Sequence, residues 1–289
     1  MALETHKRTP FSSIVDPGYY ILPGSKHRFR DDAPGGHGLV DMHRSIVVSC
    51  DTYYYRLAAD LDIDDLYNFM SQLSFGHRTG IDIPGEVEGT LPSRAWKSKR
   101  YSHGTESQRK WILGDNISVG IGQGYNAFTP IQLAHALTIM LNNGTVYAPH
   151  AVQRIDDLQT GQSDLVNAAP VRDVLLKPSN VQVIRNAMVD VTRIGTAAKV
   201  FEHAKYSVGG KTGTAQVYSL KGDKYEAHRV HAKLRDHAWF IAYAPAENPR
   251  IAIAVFVENG GFGAQAAAPI ARKLFDEALL NSNNLPPLP

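Results

Sequence analysis

The chain has 289 residues and is nearly neutral: 30 lysines and arginines against 28 acids leave a formal charge of +2, with twelve histidines besides. A composition 43% hydrophobic and 20% charged excludes wholesale disorder, collagen and coiled coil, and about three quarters of the unfolded surface is buried at this length, enough for one large or two ordinary domains. The balanced charge argues against nucleic acid as a partner, because phosphate neutralisation needs a concentrated basic face, and the single cysteine, Cys50, allows no internal disulfide, leaving it to pack, react or bind a metal.

The opening residues read as the back end of a helix stopped by Pro10, and nowhere do eighteen consecutive apolar residues occur. Residues 11–40 read as loop, with Pro17-Gly18, Pro23-Gly24 and Pro34-Gly35-Gly36 as turns. One helix is expected from Asp41 through Ala59. A second, Asp64 to Leu73, puts Leu66, Phe69, Met70 and Leu73 on one face. Asp60, Asp62, Asp64 and Asp65 bracket its start as capping and dipole-complementing groups. Ile81 to Gly85 suggests a short edge strand and turn. The basic residues 92–110 read as a solvated surface loop, with docking of an anionic polymer as the lesser reading.

Thr129-Pro130 starts a helix, capping residue then proline, whose expected buried stripe is Ile131, Leu133, Ala134, Leu137 and Leu141. A strand over 146–155 and a hairpin or loop over 156–168 follow. Val181, Ile184, Met188 and Val191 then mark a helix ended by Gly195. Apolar runs at 205–219, 237–244 and 250–258 read as strands around a polar loop (220–236), before a last helix from Ala266 to Leu280 and a tail. Helices followed by hairpin-linked strands imply an α+β fold, an antiparallel sheet covered by helices.

Two short motifs carry chemistry. Gly210-Lys211-Thr212-Gly213-Thr214 places a cation and hydroxyls around a glycine on a strand. Lys211 can face a carboxylate, Thr212 and Thr214 can donate to it, and Gly213 admits a peptide backbone closely. The spacing does not fit a phosphate loop, since Lys205 stands where that motif needs its first glycine, with Tyr206 after it. Ser49-Cys50-Asp51 lies about 160 residues upstream. The order Ser-x-x-Lys, Ser-x-Asn or Ser-x-Asp, Lys-Thr-Gly is that of penicillin-binding proteins and serine β-lactamases.

Ser49-Cys50-Asp51, Asn116-Ile117-Ser118 through Gly124, Thr129-Pro130-Ile131-Gln132, Gly210 through Gln216 and His237-Ala238-Trp239-Phe240 together resemble the transpeptidase domain of class B penicillin-binding proteins of the elongation type. The resemblance runs from about residue 2 to 280. It implies a penicillin-binding protein/β-lactamase-like fold with a helical subdomain, and crosslinking of peptidoglycan stem peptides through a serine acyl-enzyme. Ser49 would relay protons, with Asp51 beside it, and Lys211 would set the field of the site. Thr212, Gly213 and Thr214 would hold the D-Ala-D-Ala end, and the Ala215 or Gln216 N–H would serve the oxyanion. β-Lactams and elongation-complex membrane proteins are the implied partners, and an inner-membrane protein with this domain in the periplasm is the implied location.

The family's Ser-x-x-Lys is missing upstream of Ser49: Ser12, Ser13, Ser25 and Ser45 are followed three positions later by Val15, Asp16, Arg28 and Val48. Ser107-Gln108-Arg109-Lys110 matches formally but lies on the wrong side, in a polar segment, and is taken as coincidence. The expectation is a partial domain over 1–281 that begins just after the nucleophile and is inactive alone, followed by a tail over 282–289. A serine β-lactamase and a catalytically silent module that binds peptidoglycan or a partner are the alternatives.

Asp16, Asp31, His37 and Cys50 form a donor set suited to a closed zinc shell. The competing reading makes Cys50 a buried small residue and the others turn residues. Some members of the resembled family hold zinc with ligands in this order, which implies a structural zinc on these four, with Asp31 chosen over Asp32. His237, beside Trp239 on its strand, is expected to pack in the core or to support the site's residues from behind rather than to catalyse.

Overall fold

The structure, a computed structural model, describes residues 1–217 and 231–281. The expected tail, and most of the polar loop over 220–236, lie outside the described residues. The opening residues form a turn, His6 N–H to the Leu3 carbonyl, where the back end of a helix was expected.

Residues 11–40 are not plain loop. They hold β1 (Ile14–Asp16), β2 (Tyr19–Ile21), β3 (Arg28–Arg30) and β4 (Gly38–Val40). β1 pairs with β4 and β2 with β3, both antiparallel, so one hairpin nests inside another. Strands of three residues show too little alternation to stand out beside so many Pro-Gly turns.

The single helix expected over 41–59 is two, α1 (Met42–Val47) and α2 (Asp51–Ala59). Asp41 starts α1 by accepting the Arg44 N–H at 2.8 Å. Ser49 ends it at φ +59°. The Cys50 N–H returns to the Ser45 carbonyl (2.9 Å) and the Ser49 N–H to the Ile46 carbonyl (3.4 Å). This is a Schellman stop with serine where glycine is usual.

α3 (Ile63–Gln72) is capped by Asp62, which accepts the Asp64 N–H. Over 81–85 the expected turn forms, at Pro84-Gly85, and the expected strand does not. The basic stretch is not a surface loop: it forms α4 (Arg94–Arg100) and α5 (Glu106–Arg109). Lys97 there is 4% exposed and bonds Asp115 at 2.6 Å. α6 (Leu113–Gly120) and α7 (Pro130–Leu141) follow. Thr129 and Gln132 close a capping box on α7. Its buried positions are Gln132, His135, Ala136, Leu137 and Ile139, one residue round the helix from the expected stripe.

In place of one strand over 146–155 come β5 (Thr145–Tyr147) and β6 (Arg154–Asp156), then β7 (Ser163–Leu165) and β8 (Pro170–Asp173). β6 and β7 form the expected hairpin and β5 pairs with β8. α8 (Pro178–Arg193) and α9 (Ala198–Phe201) precede β9 (Gly209–Ala215), β10 (His237–Ala244), β11 (Ile251–Val257) and α10 (Gly263–Leu280). The last three strands form an antiparallel sheet in the order β11-β10-β9, as the apolar runs predict.

The chain divides into two compact units, residues 61–181 with Met1, and residues 2–60 with 182–289. The first is mainly helical, with small cores such as Phe75, Leu91 and Ala136. The second holds the sheet. Its core joins Phe240, Ala242 and Ala244 of β10 to Ala267, Ala268, Ala271 and Phe275 of α10. The alanines let the helix lie close to the strands, and each buried phenylalanine contributes about 2–3 kcal/mol. The fold is α+β, an antiparallel sheet covered by helices.

Candidate active site

The Schellman stop at Ser49 projects its hydroxyl out of the bend between α1 and α2. Lys211 Nζ on β9 donates to Ser49 Oγ at 2.7 Å and to the Thr212 carbonyl at 2.9 Å. A serine held left-handed costs about 1–2 kcal/mol, and a hydrogen bond from a charged amine contributes about 1.5–3 kcal/mol. The bond outweighs the strain, so the bend is stable with serine in place.

β9 is an edge strand, paired only with β10 among the described residues. Lys211 lies opposite Ile241, Thr212 opposite Phe240, Gly213 opposite Trp239 and Thr214 opposite Ala238. Ala215 is the last paired residue and Gln216 lies beyond it. Thr212, Gly213 and Thr214 are thus consecutive on a strand whose second edge is unpaired among the described residues, a geometry to which an extended peptide can add. The start of α10 sits directly on it: a Cβ at Gly263 would strike the Gly213 and Trp239 carbonyls.

Burial raises the Asp51 carboxyl to about 7, helped by Asp31 and Asp32 and opposed by Lys211. Burial lowers Lys211 to about 8, against the pull of Asp51 and Asp32. Asp32, exposed at the surface, is raised by desolvation and by Asp31. Two groups that ordinarily titrate far apart are brought close together, Asp51 up and Lys211 down, a common property of proton-handling sites.

The nested hairpins bring three of the expected metal ligands, Asp16, Asp31 and His37, together, and the α2 start sets Cys50 beside Asp16 but outside that group. Asp16 ends β1, Asp31 follows β3, His37 precedes β4 and Cys50 precedes α2. One ligating atom each from Asp16, Asp31 and His37 lie within 4.8 Å of one another. Cys50 Sγ is 3.4 Å from Asp16 Oδ2. Gly36, at φ +77°, packs on the Asp16 backbone where no Cβ fits. Cys50 gives α2 no side-chain cap; Asp31 does, its Oδ2 accepting the Thr52 N–H at 3.0 Å.

These residues fit a metal. Asp16 and Asp31 are only 2% and 8% exposed. His37 Nε2 is buried 3.2 Å from Asp31 Oδ1 yet makes no hydrogen bond. Burial works against the Asp16 charge, but nearby Thr52 and the N–H groups of Gly18 and His37 hold its carboxyl below the usual range. Burial pushes the Cys50 thiol up, and Asp31 and Asp16 add to this. Carboxylates crowded with an unbonded imidazole nitrogen and a thiol are costly to bury alone and are relieved by a cation among them. Asp32 is more distant, its Oδ1 4.0 Å from His37 Nε2.

Ser107 is exposed on α5, its Oγ 3.0 Å from Thr105 Oγ1. Gln132 of the Thr-Pro-Ile-Gln motif is fully buried and donates to the Glu88 and His77 carbonyls, a structural clamp. His237 Nδ1 accepts the Asn259 N–H, and its ring packs on Phe256, as expected. Thr196, which sequence reasoning passes over, contacts the site: its hydroxyl is 3.0 Å from the Thr212 hydroxyl. Its only signal is the Gly195-Thr196 stop after α8.

Residues 1–276 match the family described as the penicillin binding protein transpeptidase domain. The peptidoglycan D,D-transpeptidase MrdA of Haemophilus influenzae is 44% identical over 93% of this chain and 41% of its own length. That of Escherichia coli is 39% identical over 98% of this chain and 44% of its own. Among solved structures, penicillin-binding protein 2 of Pseudomonas aeruginosa superposes with a TM-score of 0.81 at 39% identity, over 98% of this chain and 59% of that one. The Helicobacter pylori penicillin-binding protein 2, solved in complex with MreC, gives 0.81 at 28% identity, over 98% and 48%. The chain therefore spans less than half the length of the curated relatives it matches.

Proposed function

Because the chain belongs to the penicillin-binding protein transpeptidase family, we propose that it forms the acyl-transfer domain of a peptidoglycan D,D-transpeptidase of the penicillin-binding protein 2 kind. The observation that carries this reading is the 2.7 Å bond from Lys211 to Ser49 beside the open edge of β9. A stem peptide ending in D-Ala-D-Ala adds to that edge, with its carboxylate at Thr212 and Thr214 and its backbone against Gly213.

A serine oxygen adds to the penultimate D-Ala carbonyl, and its proton passes to a lysine of its own motif. The terminal D-Ala leaves with a proton delivered through Ser49, and an amine of a second stem peptide then displaces the serine. Lys211 polarises the Ser49 hydroxyl throughout, and nearby Asp51 and Asp32 favour its charged form. No serine of residues 1–48 has a lysine three positions on, so the attacking serine is proposed to come from outside residues 1–289, and these residues by themselves do not acylate.

Asp16, Asp31, His37 and Cys50 are proposed to hold a zinc ion that supplies a closed, structural shell and fixes the bend bearing Ser49. Family membership also supports an inner-membrane protein with this domain in the periplasm, working with elongation-complex membrane proteins and inhibited by β-lactams. Among the described residues no helix is long and apolar enough to cross a membrane.

The test is release of D-Ala from a pentapeptide stem by the chain joined to a family Ser-x-x-Lys segment, and by its Lys211→Gln variant. Release by the first and at least a hundredfold less by the second is expected. Equal release from both would overturn the assignment of Lys211, and none from either would overturn the transpeptidase reading.

A further inference from the structure

Thr196 ties together two elements that carry the site. Its backbone N–H donates to the Val47 carbonyl at 3.3 Å, just before the Ser49 bend. Its side-chain oxygen lies 3.0 Å from that of Thr212 on β9. The approach depends on the residue before it, since a Cβ at Gly195 would strike the Val47 carbonyl. The bend, the turn after α8 and the strand are therefore locked at one point.

Proton counting gives this contact a chemical consequence. Two hydroxyls carry two protons, and a hydrogen bond between them uses one. One proton is left to point outward. Lys211 donates to the Thr212 carbonyl at 2.9 Å, so Thr212 is gripped at its backbone by the lysine and at its side chain by Thr196. When Thr196 donates, the Thr212 oxygen is polarised and its own proton is free for an anion in front of β9.

We propose that Thr196 is a positioning residue for carboxylate recognition: its hydroxyl orients the Thr212 hydroxyl as a donor toward the C-terminal carboxylate of the peptide on β9. This rests on the transpeptidase reading and adds to it the residue that sets specificity for a free carboxyl end. Thr196 is exposed, so its side chain adds little burial. A purely structural role would leave ligand preference unchanged when the hydroxyl is replaced by a methyl.

The experiment measures binding of diacetyl-Lys-D-Ala-D-Ala and of its C-terminal amide to residues 1–289, by NMR titration, in the parent and in Thr196→Val and Thr196→Ser, with thermal melting of each. The parent is expected to prefer the carboxylate. Thr196→Val should lose about tenfold of that preference, roughly one charge-assisted hydrogen bond, at an unchanged melting temperature, and Thr196→Ser should restore it. An undiminished preference in Thr196→Val overturns the inference alone. A preference that falls only in step with the melting temperature, or is not restored by serine, also overturns it, as a structural effect. A parent that binds neither peptide overturns the transpeptidase reading and this inference with it.

Discussion

Lys211 Nζ meets Ser49 Oγ at 2.7 Å across 162 positions of chain, joining an edge strand to a left-handed bend between two helices. Both ends of that bond are constrained. Lys211 is fixed by the register of β9 on β10, and Ser49 by the Schellman stop that ends α1.

The Lys211 amine is expected to titrate near 8, because burial lowers it despite Asp51 and Asp32. Its folded value lies below the ordinary one, so the folded state carries an unfavourable charge below about 8. That penalty disappears as the pH rises, and stability should increase between about 8 and the ordinary lysine value of about 10.4. Carboxylate peptide binding should change in the opposite sense and weaken as the pH passes 8 and the charge is lost. Heteronuclear NMR of the lysine side chains checks the first point; a Lys211 midpoint above 10 would contradict it.

Ser49 occupies a position that favours glycine, at φ +59°. Ser49→Gly relieves the strain but loses the bond from Lys211 and should be slightly less stable than the parent, while Ser49→Val, which loses the same bond and keeps a branched side chain in the same conformation, should lose about 1–3 kcal/mol more. Urea unfolding of the two variants decides the matter. A valine variant more stable than the glycine variant would mean that the bend is not strained.

Much of this site is legible in the sequence, for physical reasons. The apolar runs of β10 and β11 and the Lys-Thr-Gly run place the sheet and its edge. The break at Ser49 is not legible, because a Schellman stop is recognised by glycine and here serine takes its place. The nested hairpins around Asp16, Asp31 and His37 are hidden by strands too short to alternate. Lys97 misleads because a basic run reads as solvated, whereas Asp115 at 2.6 Å lets the amine be buried. On α7, Gln132 and His135 are buried in place of Ile131 and Leu133, because the polar pair bonds neighbouring carbonyls, His77 and Glu88 for one and Tyr147 for the other.

The Lys97–Asp115 pair has its own expected outcome. Burial opposes the charge on Lys97, and Asp115 restores it and raises its pKa. Lys97→Ala removes the amine from a half-buried carboxylate that keeps, among the described residues, only the Ile112 N–H and should cost about 1–3 kcal/mol, whereas Lys97→Met combined with Asp115→Asn, which keeps an acceptor for that N–H, should cost less. Denaturant unfolding of the single and double variants measures the difference. A double variant as unstable as the single would show that the charge on Asp115 is not the cause.

Zinc bound at Asp16, Asp31, His37 and Cys50 should be present in stoichiometric amount in refolded protein and be lost in Cys50→Ser together with Asp16→Asn. Its removal by a chelator should lower the melting temperature, because binding to the folded state alone stabilises it. Metal-free protein whose melting is indifferent to zinc and chelator would exclude the site.

The most direct test of the account is intact-mass analysis of residues 1–289 after incubation with penicillin, alone and joined to a family Ser-x-x-Lys segment. The account predicts no adduct on residues 1–289 and a stoichiometric penicilloyl adduct on the joined protein that is slowed at least tenfold by Ser49→Ala. An adduct on residues 1–289 alone, above all one abolished by Ser107→Ala, would contradict it.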